Sequence, residues 1–185
     1  AGETILFHAA AGGVGTIATQ WAKSLGVRVI GTVSTREKAE LAKANGCAEV
    51  IITSEENVVK RVKELTDGKG VPVVYDSVGK ATFVESLDCL KPRGMMVSFG
   101  NASGKVDPVP LQWLVERGSL VLTRPTVASF TVDKAEMLES AAEMFGVVAS
   151  GAVKIQINQR FALADVVKAH TALENRRTTG CTVLI

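Results

Sequence analysis

The chain has 185 residues, of which 46% are hydrophobic and 22% charged, with a formal net charge of +2. That length can bury a sizeable core without disulfides or metals, and the composition is ordinary for a globular protein. So small a charge leaves no electrostatic footprint for nucleic acid, no apolar run is long enough to span a bilayer, and Cys47, Cys89 and Cys181 lie too far apart for a C-x-x-C zinc or redox site. The three thiols read as reduced and mostly buried, the usage of a cytosolic protein.

In chain order, apolar strand runs fall at residues 5–8, 27–33, 49–52, 73–76, 95–99 and 120–123. Near-continuous runs of this kind suit a parallel sheet covered on both faces. Helical patterns fill the gaps. Ile17, Trp21 and Leu25 recur at helical spacing beside Ala18 and Ala22, Val58, Val59, Val62 and Leu65 form a second stripe, and Phe83, Leu87 and Leu90 a third. Each stripe is expected to pack on the sheet. Gly26, Gly46, Asp67-Gly68-Lys69-Gly70, Lys91-Pro92-Arg93-Gly94 and Gly118 separate the units. Strict alternation with right-handed crossovers predicts an α/β fold, a Rossmann-type doubly wound parallel six-stranded sheet in the order 3-2-1-4-5-6.

The first strand starts almost at once, with no capped polar leader, so the sequence reads as lacking its natural beginning. After Pro125 the rhythm changes. A longer helix carries Leu138, Ala141, Ala142, Phe145 and Val148 on one face, followed by a short strand near 154–157, a helix near 164–174 and a last strand at 182–185. These pieces do not extend the alternation, which divides the chain into a dinucleotide-binding domain, 1–127, and a C-terminal segment, 128–185.

The first strand runs directly into Ala10-Ala11-Gly12-Gly13-Val14-Gly15 and a helix. The spacing fits G-x-G-x-x-G with Ala10, Gly12 and Gly15 in the three key places. The first place needs a small residue in a tight turn, the second lets a pyrophosphate approach the backbone, and the third lets the helix pack against the strand. The helix start then offers free N–H groups and a partial positive charge to phosphate. A strand before the loop and a helix after it are the context this motif requires.

The second strand ends Gly31-Thr32-Val33-Ser34-Thr35-Arg36-Glu37-Lys38. An NAD site usually places an acid there for the ribose hydroxyls. Here hydroxyls at Ser34 and Thr35 are followed by Arg36 and Lys38, the groups a 2′-phosphate needs. NADPH is therefore the expected cofactor. Ser34 with Glu37 also forms a possible capping box, and Lys38 could be a solvated surface charge, without conflict with phosphate binding.

His8-Ala9-Ala10-Ala11-Gly12-Gly13-Val14-Gly15, Val74-Tyr75-Asp76-Ser77-Val78-Gly79, Ser98-Phe99-Gly100-Asn101 and Leu122-Thr123-Arg124-Pro125 follow one another along the chain. In this order they resemble the bacterial NADPH:quinone oxidoreductases, the zeta-crystallin-like, zinc-independent branch of the medium-chain dehydrogenase/reductases. The resemblance continues through Glu174-Asn175-Arg176-Arg177 to the final strand. It implies that Gly12, Gly13, Val14 and Gly15 lie on the pyrophosphate. It also implies that Ser34, Thr35, Arg36 and Lys38 hold the 2′-phosphate, and that Ser77 and Val78 border the adenosine half. Phe99, Gly100 and Asn101 would line the nicotinamide, Pro125, Thr126 and Val127 would meet the carboxamide, and Arg176 would return from the C-terminal segment. Thr53 stands where relatives often carry a tyrosine, so it offers a hydroxyl but no ring.

The family reaction moves a hydride from nicotinamide C4 to a quinone or to the β-carbon of a conjugated carbonyl. Its catalytic domain, which precedes the cofactor domain, has no counterpart in this sequence. The Leu138/Phe145 face is accordingly expected to be exposed. His8 reads as structural, His170 as a surface or interface residue, and Asp76 as a turn cap without an evident partner, so no catalytic residue and no metal ligand is assigned. The apolar edge at 119–123 invites pairing, and relatives pair it across a two-fold axis, so a homodimer is expected. Three further readings stay open: an enoyl reductase unit of a larger synthase, a non-catalytic crystallin-like or RNA-associated nucleotide binder, and a zinc alcohol dehydrogenase whose ligands fall outside this stretch.

Overall fold

The computed structural model describes residues 1–185. All six expected strands are present, as β1 (Thr4–Phe7), β2 (Arg28–Val33), β3 (Glu49–Ile52), β4 (Val71–Asp76), β5 (Leu90–Ser98) and β6 (Val121–Thr123). They form one sheet in the order β3-β2-β1-β4-β5-β6, with every pairing parallel. This is the doubly wound order the alternation predicts. Successive residues serve opposite faces. Leu6 and Ile30 join one buried cluster, with Val62 and Leu87, while Phe7 and Val29 join a second, with Ala39 and Ala42. Period-two alternation into two cores is why the strands read as unbroken apolar runs.

The connecting helices are α1 (Gly13–Ser24), α2 (Arg36–Ala44), α3 (Val58–Leu65), α4 (Phe83–Asp88) and the short α5 (Gln112–Glu116). Three local expectations need correction. In α1 the buried residues are Gly15, Thr16 and Thr19, whereas Ile17 and Trp21 are half-buried and Leu25 is 59% exposed. A helix packed this close to a sheet needs small residues on its inner face, so the larger apolar stripe is turned away from the core. The N-cap of α2 is Thr35, whose hydroxyl accepts the Lys38 N–H at 3.3 Å, so Ser34 makes no capping box. The third stripe ends early. α4 stops at Asp88, and Leu90 opens β5 while staying in the same core. The Lys91–Gly94 breaker becomes an irregularity within β5, opposite Pro72, which has no N–H to give the ladder.

Beyond β6 come α6 (Val127–Phe130), α7 (Lys134–Ala149), β7 (Ile157–Phe161), a 3₁₀ turn at Leu163–Asp165, α8 (Val166–Glu174) and β8 (Cys181–Leu184). The strand expected at 154–157 starts only at Ile157, and it pairs in parallel with β8 in a separate two-stranded sheet. α7 is well begun, since Asp133 Oδ1 accepts the Ala135 and Glu136 N–H groups, yet it has no buried residue. Leu138 is 54% and Phe145 71% exposed, the open apolar face the sequence anticipates. The segment touches the main sheet unit through Gly180, whose N–H bonds the Ala11 carbonyl at 2.8 Å, and through Gln20, which bonds the backbone N–H and carbonyl of Lys154. No helix is long and apolar enough to cross a membrane.

Candidate nucleotide site

The loops after β1, β2, β4, β5 and β6 all leave the same, C-terminal edge of the parallel sheet. The order reverses between β1 and β4, the place where open α/β sheets form a ligand crevice. The glycine loop lies there. Ala9 adopts φ +54, and its carbonyl accepts the Gly12 N–H at 2.9 Å, closing a tight turn. A Cβ on Gly15 would stand 2.5 Å from the Ala9 carbonyl oxygen and 2.6 Å from that of Ala10, so only glycine lets α1 start here. A Cβ on Gly12 would stand 3.2 Å from the Ala9 oxygen. No side chain caps α1, and the N–H groups of Val14 and Gly15 have no partner in the chain, while Gly13 lies against the Gly180 carbonyl at the parallel Gly12–Gly180 bridge. Bare N–H groups and a positive helix end fit a pyrophosphate. The cradle therefore suits a dinucleotide on its own geometry.

Ser34, Thr35 and Lys38 stand at the end of β2 and the start of α2, with no carboxylate between Gly31 and Thr35. Lys38 Nζ donates to the Arg176 carbonyl at 2.7 Å, which brings these two expected contacts together from opposite ends of the chain. Arg36 has another partner. Its Nε and one terminal nitrogen donate to the Glu55 carboxylate at 2.9 and 3.2 Å, and that contact raises the guanidinium pKa. Lys38 is thus the expected cation whose ammonium is not already on a carboxylate. Thr53 spends its hydroxyl on the Val33 carbonyl at 3.2 Å, beside Ser34.

Farther along the edge, Gly100 sits against the Ser77 backbone so closely that a Cβ would collide with it. Ser103 donates through both N–H and hydroxyl to the Val78 carbonyl, each at 2.7 Å. These bonds join the Ser77–Val78 and Phe99–Asn101 loops into one wall. Phe99 continues into a ring cluster with Phe7 and Tyr75, with ring centroids 5.9 and 5.6 Å from Phe7. Pro125 and Thr126 follow β6 on the same edge, and Thr126 caps α6. Val127 is 79% exposed. Two surface hollows of about 300 and 430 Å³ lie at the other edge of the sheet, around Lys23 and Gly46, away from this wall.

One constellation escaped the sequence reading. Beneath the crevice His8 Nε2 lies 3.0 Å from Ser86 Oγ, which donates to Asp76 Oδ2 at 2.9 Å. His8 Nδ1 lies 2.9 Å from Thr32 Oγ1. Asp76, expected to cap a turn without an evident partner, does cap one and has further partners besides. Its Oδ1 accepts the Val78 and Gly79 N–H groups at 2.7 and 3.0 Å, and its Oδ2 also accepts the Thr82 hydroxyl at 2.7 Å. These are the residue types of a hydrolytic triad in the wrong order. Serine bridges histidine and aspartate and gives its proton to the carboxylate, so the Ser86 hydroxyl is not activated by the imidazole. Desolvation lowers the His8 pKa from 6.5, partly opposed by Asp76. The structural reading of His8 stands. The signal that could have revealed this network is a polar residue within an apolar segment, because buried polar groups must find partners.

Cys47 and Cys89 are buried, which pushes both thiols up to about 12, while Cys181 is half-buried beside Gly13. No group of three or more His, Cys, Asp or Glu side chains could hold a metal ion.

Known proteins share this arrangement. A quinone oxidoreductase of Pseudomonas aeruginosa is 60% identical over 100% of this chain, which covers 57% of that protein. The crystal structure of Pseudomonas syringae pv. tomato quinone oxidoreductase superposes with TM-score 0.96 at 54% identity, over 100% of this chain and 57% of the other. The Escherichia coli quinone oxidoreductase, solved in complex with NADPH, gives TM-score 0.96 at 50% identity, over 99% and 57%. The chain thus spans little more than half the length of these relatives. The family described as zinc-binding dehydrogenase matches residues 13–146, and although that description names zinc, this chain's residues provide no set of ligands for it. The chain belongs to the zinc-binding dehydrogenase family.

Proposed function

We propose that this chain binds NADPH along the C-terminal edge of its sheet and serves the reduction of quinones or related conjugated carbonyls by hydride transfer. The bound dinucleotide supplies the hydride; the chain supplies position and electrostatics. The observation that carries the reading is the bare start of α1 above a glycine cradle, with Lys38 and no carboxylate after β2. Gly12, Gly13, Val14 and Gly15 line the pyrophosphate: Val14 and Gly15 offer it their N–H groups, while Gly12, whose own N–H is on Ala9, and Gly13 let it approach the backbone. Ser34, Thr35 and Lys38, with Arg176 alongside, hold the 2′-phosphate. Arg36 joins them only by leaving Glu55, and Thr53 only by turning its hydroxyl from Val33. Ser77 and Val78 flank the adenosine half. Phe99, Gly100 and Asn101, with Pro125, Thr126 and Val127, flank the nicotinamide.

Residues 1–127 act as the cofactor domain and 128–185 as a segment that completes a second domain. The open face of α7 supports this division. The three-residue edge strand β6 pairs only with β5, and Val121 is 46% exposed, which supports a homodimer through residues 119–123. The reading takes the protein as a zinc-independent cytoplasmic enzyme. Fluorescence titration tests the cofactor, and turnover of 1,4-benzoquinone with NADPH tests the reaction. Saturable NADPH binding with little or no turnover by these 185 residues is expected. Absence of NADPH binding would overturn the proposal.

A further inference from the structure

The polar network under the crevice has a direction, and Asp76 sets it. Asp76 is fully buried and receives four donors: the Val78 and Gly79 N–H groups and the Thr82 and Ser86 hydroxyls. Four donors fill the lone-pair sites of an ionised carboxylate, which can only accept. Ser86 therefore spends its one proton on Asp76. Toward His8 it can then only accept, so the proton of the neutral imidazole sits on Nε2. Nδ1 is left as an acceptor for the Thr32 hydroxyl. Burial, which disfavours the imidazolium, agrees with a neutral ring.

Both ends of this network meet backbone that builds the nucleotide site. At one end Asp76 holds the Val78–Gly79 turn, where Gly79 adopts φ +88. At the other, His8 precedes Ala9, whose unusual φ and carbonyl form the turn into the glycine loop. The His8 N–H is bonded to the Tyr75 carbonyl at 3.0 Å, so ring and backbone together lock the end of β1 between β2 and β4.

We propose that Asp76 is a positioning residue for the nucleotide site: it fixes the Val78–Gly79 turn directly and, by setting the direction of the Ser86–His8–Thr32 hydrogen bonds, fixes the His8–Ala9 turn that launches the glycine loop. The positioning role rests on the NADPH reading above; the hydrogen-bond direction does not.

The test is Asp76→Asn. The amide oxygen must face the Val78 and Gly79 N–H groups, which leaves the NH₂ facing Ser86. Ser86 then turns its proton to His8 Nε2, and the imidazole proton moves to Nδ1. The chain has two histidines, His8 and His170, so ring ¹⁵N shifts assign the tautomer directly. Wild type is expected to show neutral Nε2–H at His8, and D76N neutral Nδ1–H. NADPH affinity in D76N is expected to fall about tenfold, the usual scale for losing a charge-assisted acceptor. Ser86→Ala keeps the turn bonds but cuts His8 from Asp76, so a smaller loss is expected, and it serves if D76N does not fold. An Nδ1–H tautomer in wild type overturns the direction. Wild-type NADPH affinity in both variants overturns the positioning role. If wild type binds no NADPH, the cofactor reading fails and the positioning role with it, while the tautomer still decides the direction.

Discussion

The six-stranded unit and the segment after β6 differ in how fully each satisfies itself. In the first, strands bury both faces and polar groups under the crevice close on one another, with no buried side-chain N or O atom left unpartnered. In the second, α7 has no fully buried residue and β7 and β8 form a sheet of two strands. Caps and periodicity suffice to begin a helix such as α7, but only burial holds it in place.

The largest effect expected from this contrast is at Gly15. Gly15→Ala drives a Cβ into two backbone carbonyls and should cost about 3 kcal/mol of folding stability, with loss of NADPH binding; a normal denaturation midpoint would break the account of the loop. A matched pair comes next. Leu87→Ala, in the core, should cost about 3 kcal/mol. Phe145→Ala, on the open face of α7, should change stability by less than about 0.5 kcal/mol. Equal losses in urea melts would erase the distinction between the regions.

Acidity probes the network more gently. His8 has its pKa lowered from 6.5 in the folded state, so between the two values the unfolded chain binds more protons. Stability should therefore fall as pH drops below 6.5 and through the folded value, and His8→Gln should flatten that slope. Asp76, which faces His8, opposes the shift. Glu85, raised by burial and by Asp76 and Asp88, acts in the opposite direction nearer its ordinary 4.5, so the slope is best read just below pH 6.5. An unchanged slope in His8→Gln would remove His8 as its source. The smallest effect is at Gly146, inside α7, where a Cβ meets nothing within 4 Å. Gly146→Ala should stabilise that helix by about 1 kcal/mol, seen as slower amide exchange in α7 alone. Slowing that spread into the sheet would show the regions to be coupled.

What was legible in the sequence follows the reach of each interaction. Strand order came from apolar runs and breakers, since a parallel sheet imposes both locally. The glycine loop was legible because its geometry demands small residues within six positions. The inner face of α1 was not, because close packing selected glycine and threonine there while larger apolar residues faced outward. Nor was the His8–Ser86–Asp76 network, whose histidine and serine are 78 positions apart. The Arg36–Glu55 pair, formed across two neighbouring strand ends, was hidden for the same reason, and it altered the list of free cations.

The central claim is that the end of β2 is built for a 2′-phosphate, with Lys38 as its cation. Parallel titration of NADPH and NADH tests this most directly. NADPH should bind at least about tenfold tighter, and Lys38→Ala should remove most of that preference while leaving NADH unchanged. Equal affinity of the wild-type chain for the two would contradict the account.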